Sequence, residues 1–287
     1  MTSLNDFIKM EKRNALVFLD RGMSARNYSL WSSFLIPDGS DGDDIGTYTR
    51  MRITGGTDVR RLFALSVSEC AVDRQRSIDG VARFDFVPLC RDPSEFVDAL
   101  RELGGTGAGG MDIALFLGID ARDEPNTFLV DSLLESDVFS GAFVSAPSGD
   151  GWCVKKAVEL LSVVRARGKL AKLSAPPGAF GSIVNGADCG GRSVCAIDPA
   201  SGRQMEAVMR SLAIPAVFTD SAEPSCVRAF CDAGIPVSLS SGQFLLSAET
   251  LSGFAFRLFS SGLFSLGELE AILRGGTESS TARSVFR

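Results

Sequence analysis

The alternation of short apolar runs with stretches of helical periodicity constrains this chain most. Runs at residues 15–19, 48–53, 112–117, 141–145, 169–173, 193–197, 214–218 and 237–240 read as buried strands, with 84–87 as one further candidate. Between them, Val154, Ala157, Val158, Leu161 and Val164 fall on one stripe of a helix, and Leu251, Phe254, Ala255, Leu258 and Phe259 on another. Residues 201–212 and 225–233 also read as helices. Ser265 with Glu268 forms a capping box for a last helix, and Gly275 with Gly276 supplies its stop. Strand-helix alternation is the pattern of a parallel α/β fold. About eight strands fit a single-domain (β/α)8 TIM barrel over residues 1–287 better than a doubly wound sheet. Residues 55–110 are the least regular and read as an irregular stretch or an insertion, and 276–287 as a flexible tail.

Composition narrows the chemistry. An apolar content of 45% suffices for a large core. The net charge of −6 repels phosphate backbones and no basic patch offsets it, so nucleic acid is not an expected partner. No apolar stretch reaches the roughly 20 residues that span a bilayer, and residues 1–12 do not read as a signal peptide. The seven cysteines form no Cys-x-x-Cys pair and several lie in apolar runs, which suits reduced, buried thiols in a cytoplasmic protein.

Histidine is absent. Nucleophilic triads need a base, usually histidine, and no Gly-x-Ser-x-Gly elbow is present, so Ser238, Ser240 and Ser241 read as strand-end hydroxyls. A zinc site needs three or four Cys, His or carboxylate ligands. Only carboxylates remain, and the acidic run Asp41, Asp43 and Asp44 reads as a solvated loop. The segment from Gly105 to Gly110 matches a dinucleotide fingerprint by letter. A helix precedes it and a strand follows, the reverse of what the fingerprint requires, so it reads as a glycine linker after a helix.

Taken in order, the segments resemble the adenosine and AMP deaminase family, including its adenosine-deaminase-like branch. The family's opening, Pro-Lys-x-Glu-Leu-His-x-His-Leu-Asp-Gly, is met by Glu11 to Arg21, where Lys12, Leu19 and Asp20 match. Tyr48-Thr49-Arg50-Met51-Arg52 is similar to a family strand of the type Tyr-x-Glu-x-Arg. The stretches 113–120 and 122–125 resemble a strand ending in Arg, and 139–145 stands where the family has Val-Val-Gly-Ile-Asp-Leu-Ala. The closing segment is the most specific: Asp232 to Ser241 follows the family's Asp-Ala-Gly-Val-Pro-Val lettering, with two helices after it.

The resemblance implies a metal-dependent hydrolase barrel whose site has been lost. The two metal-binding histidines of the opening motif fall on Leu16 and Phe18. In the His-Ala-Gly-Glu motif the metal histidine falls on Ser174 and the general-acid Glu on Pro177. The histidine of Ile-Gly-His-Gly, which orients the attacking water, falls on Ala196. The metal Asp falls on Gly242 and its substrate-contacting neighbour on Gln243. None of these side chains binds zinc well or titrates near neutrality. A rescue by Asp20, Asp220 or Glu223 would give an oxygen site suited to Mg²⁺ or Ca²⁺ rather than this one.

The expectation is therefore a catalytically inactive barrel with no cofactor and no metal, acting as a protein-binding, scaffold or regulatory subunit. The expected partner is a protein, either an active relative or a larger assembly. Two alternatives stand beside it: a divergent deaminase of adenosine, AMP or N6-modified AMP, and a purine-nucleotide sensor that still holds its ligand in the barrel mouth.

Overall fold

The computed structural model describes residues 2–19, 60, 63–64, 66–67, 70–106, 110–241 and 250–275. Eight parallel strands form one sheet in sequence order: β1 (Lys12–Phe18), β2 (Gln75–Arg83), β3 (Asp112–Asp120), β4 (Phe139–Ser145), β5 (Leu170–Ser174), β6 (Val194–Ile197), β7 (Ala216–Phe218) and β8 (Val237–Leu239). Helices follow the strands: α1 (Leu4–Lys9) leads in, then α2 (Pro93–Thr106), α3 (Thr127–Glu135), α4 (Gly151–Ala166), α5 (Pro177–Gly186), α6 (Arg203–Ser211), α7 (Pro224–Asp232), α8 (Leu251–Ser260) and α9 (Leu266–Gly275). This is a single-domain (β/α)8 barrel. Hydrogen-bonded ladders run from β1 to β8. Between β8 and β1, side chains close the seam: the Ser240 hydroxyl donates to the Leu16 carbonyl, and Asn14 exchanges bonds with the Ser241 amide (3.2 Å) and hydroxyl (2.6 Å).

Two apolar layers follow from strand alternation. The outer one lies between sheet and helices and takes Val17, Leu117, Val144 and Leu173 on the strands with Ala157, Leu161 and Val164 from the α4 stripe. The inner one fills the barrel with Ala15, Leu16, Val81, Ala114, Phe116, Phe143, Cys195, Ile197 and Val217. All seven cysteines are free thiols, five of them buried. Among the described residues no helix is long and apolar enough to cross a membrane.

Two strand expectations need correction. The strand paired with β1 is Gln75–Arg83, inside the segment read as irregular or inserted. Residues 84–87 are not a strand but lie in a 3-10 turn, Phe84–Leu89, with Pro88 inside it. The expected strand at 48–53, the acidic run at 41–44 and the tail at 276–287 lie outside the described residues. The glycine-rich segment reads as expected: α2 ends at Thr106, Gly110 adopts a left-handed φ of 85°, and β3 follows.

The capping box of α9 is complete. Glu268 accepts from the Ser265 amide at 2.8 Å and its hydroxyl at 2.7 Å, while Ser265 Oγ accepts from the Glu268 amide at 3.2 Å. The Ser265 amide, with the Arg228 guanidinium and then the Ser265 hydroxyl, holds the Glu268 carboxyl down at about 2, below its ordinary 4.5. A depressed folded-state value stabilises the fold above the unfolded value and loses that contribution as pH falls toward the folded one. Wild type should therefore melt above Glu268→Gln at about pH 6, with the gap closing by about pH 2. Melting curves across that window check it, and a gap that does not change with pH would contradict it.

Candidate functional site

At the C-terminal ends of the strands, where barrels of this kind place their chemistry, the described residues comprise apolar side chains of the inner layer, the floor, and polar side chains at and just beyond the last strand residues, the rim. Leu16 is fully buried in the inner cluster and Phe18 packs against it. The Phe18 ring of β1 meets Phe143 of β4 edge-on, centroids 5.2 Å apart. Ile197, 5% exposed, belongs to the same cluster.

The rim is built from strand ends. Arg83, at the end of β2, pairs with Asp85 at 2.8 Å. Asp120, at the end of β3, accepts from the Arg122 amide and pairs with its guanidinium, both at 2.9 Å. Ser145 and Ser174 end β4 and β5, both half-buried. Asp198 follows β6 with a left-handed φ of 45°, a conformation that costs a residue other than glycine energy and often marks functional sites. Thr219, directly after β7, fixes it, its amide and hydroxyl each donating to the Asp198 carboxylate at 2.7 Å, and Ser221 Oγ lies 2.8 Å from Thr219 Oγ1. Asp198 keeps a face to solvent, yet the surrounding protein strips enough water to push its carboxyl up, against the lowering effect of the Thr219 bonds.

Below the floor lies a buried ion pair. Lys172 of β5 donates to Asp79 of β2 at 2.6 Å and to the Ala15 carbonyl, and its Nζ sits 4.7 Å from the centroid of the Phe116 ring. Cys195 lies beside this pair, and burial pushes its thiol up to about 11, so it is no thiolate nucleophile. On the opposite, N-terminal face, Lys12 donates to the carbonyls of Phe7 and Met10 at the end of α1 and pairs with Asp73 at 3.7 Å. The Lys12 that matches the family's opening motif is thus a buried fastener of α1.

The residues expected at the site are placed unequally. Leu16 and Phe18 meet in the inner cluster, and Ser174 ends β5 on the same C-terminal side of the sheet. Ala196 does not join them: it packs in the outer layer, while its neighbours Cys195 and Ile197 face inward. Strand parity puts Ile197 at that level, followed by the left-handed Asp198 where the motif has a glycine. Pro177 starts α5 and is exposed. Gly242, Gln243 and Asp20 lie outside the described residues. Of the acidic side chains considered for a rescue, Glu223 is exposed before α7 and Asp220 presents its carbonyl to Arg257. Among the described residues no group of three or more His, Cys, Asp or Glu side chains is placed to hold a metal ion. Leu16 and Phe18 carry no donor atom and Ser174 offers one hydroxyl, so these three residues do not fit zinc.

Sequence reasoning did not single out Arg83, Asp198 and Thr219. Arg83 ends β2 and Thr219 directly follows β7, and an Asp directly after an apolar run was the visible signal for Asp198.

No protein-family model matches the chain, and no curated protein does. Solved structures do. The complex of ADAL with IMP superposes with a TM-score of 0.76 at 12% identity, over 99% of this chain and 97% of that one. The N6-methyl-AMP deaminase of Arabidopsis thaliana gives 0.72 at 14% identity, over 99% and 97%. An amidohydrolase from Burkholderia ambifaria with bound zinc gives 0.72 at 13%, over 98% and 88%. At these identities the likeness is one of fold, and the chain has the barrel fold of these deaminases and amidohydrolases along nearly its whole length.

Proposed function

We propose that this protein is a deaminase-like barrel without metal-dependent catalysis, acting in the cytoplasm as a protein-binding, scaffold or regulatory subunit. One observation carries the first half of this reading: Leu16 and Phe18 fill the barrel with packed hydrocarbon at the level where the family resemblance expects two metal-binding histidines. A barrel with a filled mouth and an intact frame works through its surface. The exterior supports this with two large exposed aromatics, Phe128 at the start of α3 (83% exposed) and Trp152 at the start of α4 (47%), a residue class that interfaces favour. The partner class is a protein, either an active relative or a larger assembly.

Purification from native cells under gentle conditions tests the reading. A stoichiometric co-purifying chain is expected, with elution well above the size of one 30.5 kDa chain. A free monomer with no partner would count against it. A second reading, a purine nucleotide held in the mouth, draws on the polar rim of Arg83, Asp198 and Thr219 and on the IMP complex of the structural relative. A thermal-shift series with AMP, IMP and N6-methyl-AMP separates the two, and no shift is expected.

A further inference from the structure

We infer that Lys172 is the barrel's own internal cation, a built-in tie that joins β5 to β1 and β2 and holds β1 in the course that fills the barrel. The register of β1 is irregular at this point. From Asn14 to Val17 it advances three residues, while its partner β2 advances two, from Ile78 to Gly80. The extra residue is a bulge, and a bulge frees backbone groups that must be paired elsewhere. Side chains pair them from β5 across the barrel, from the β8 seam and from β1 itself. The Ala15 carbonyl accepts from Lys172 and the Leu16 carbonyl from Ser240. The Leu16 amide donates to Asn14 Oδ1 at 3.4 Å. With these bonds made, both Ala15 and Leu16 belong to the inner layer.

Lys172 is itself well held. Its ammonium pairs with Asp79, and both side chains are at most 1% exposed. The Phe116 ring covers it from another side. The strands tied are informative. The resemblance places metal ligands on β1, on β5 at Ser174 and after β8 at Gly242. Lys172 lies two residues before Ser174 and Ser240 two before Gly242, so ammonium and hydroxyl tie the same strands one layer deeper. The tie does not depend on what the surface of the barrel binds.

The signature of such a tie is asymmetry. Removing one member of a buried pair strands the other charge, whereas replacing both by apolar side chains is often close to neutral. Lys172→Met alone and Asp79→Leu alone should each lower Tm by about 10 °C or prevent folding, while the double variant should melt within about 5 °C of wild type. In Lys172→Met, peptide-resolved alkylation of Cys195 should run about tenfold faster than in wild type, because release of the bulge opens the inner layer. EDTA should leave wild-type melting unchanged. Where a single variant does not fold, the double carries the test. The inference is overturned if Lys172→Met melts with wild type and keeps Cys195 protected, if the double is as damaged as the singles, or if EDTA lowers the wild-type Tm.

Discussion

Gly141→Ala should destabilise the barrel by about 3 kcal/mol or more, at or beyond the upper end of what overpacking usually costs. Gly141 sits on β4 opposite Leu170 of β5. A methyl group built there overlaps the Leu170 carbonyl oxygen, comes within 2.9 Å of the Leu170 carbonyl carbon and lies 2.7 Å from Cε1 of Phe116. Backbone cannot rotate away as a side-chain tip does, so either the β4-β5 ladder separates or Phe116 moves. Phe116 is fully buried and covers Lys172, so neither response is local. A matched control fixes the cause. Gly178, in the first turn of α5, has open space at its Cβ position and no left-handed φ, so alanine there should stabilise by about 0.5–1 kcal/mol through helix propensity. Urea unfolding of the two variants measures the contrast. A Gly141→Ala protein as stable as wild type would mean that the inner layer is looser than this packing.

The elements that were legible in the sequence are those whose partners lie close along the chain. The α4 stripe, the Ser265-Glu268 box and the apolar runs of β3 to β8 are local patterns, and local patterns are what periodicity and capping rules detect. β2 escaped for a physical reason. Its inward positions include Ser77 and Asp79, which interrupt an apolar run, and Gly80 weakens it further. Asp79 is tolerable there only because Lys172, 93 residues away in sequence, arrives beside it once the barrel closes. The same separation hid the interior tie: a lysine inside an apolar strand and an aspartate in a polar one are each unremarkable until topology pairs them. Parity explains the displacement at Ala196. Lettering alone places a motif to within a residue, but in a strand one residue is the difference between the inner layer and the outer one.

The largest expected effect on chemistry is a loss that no single residue explains. Zinc added to the purified chain should wash out to far below one ion per chain, and adenosine, AMP and N6-methyl-AMP should show no turnover above background. Zinc sites need three or four N, S or O donors in a fixed geometry. Deaminases of this fold type are expected to gain on the order of 10⁶-fold or more over the uncatalysed reaction. One altered ligand would leave a weakened site and a measurable rate. Here the positions the resemblance assigns to metal ligands hold Leu16, Phe18, Ser174 and Gly242, and the general-acid position holds Pro177. The hydrocarbon side chains also occupy volume, since Phe18 packs edge-on against Phe143 and Leu16 is fully buried. Restoring two donors as Leu16→His with Phe18→His should therefore lower stability by a few kcal/mol, about the cost of removing packed hydrocarbon, without creating turnover. Stoichiometric zinc in the wild-type chain, or turnover of any of the three substrates, would overturn the reading of a filled mouth and return the protein to the enzymes.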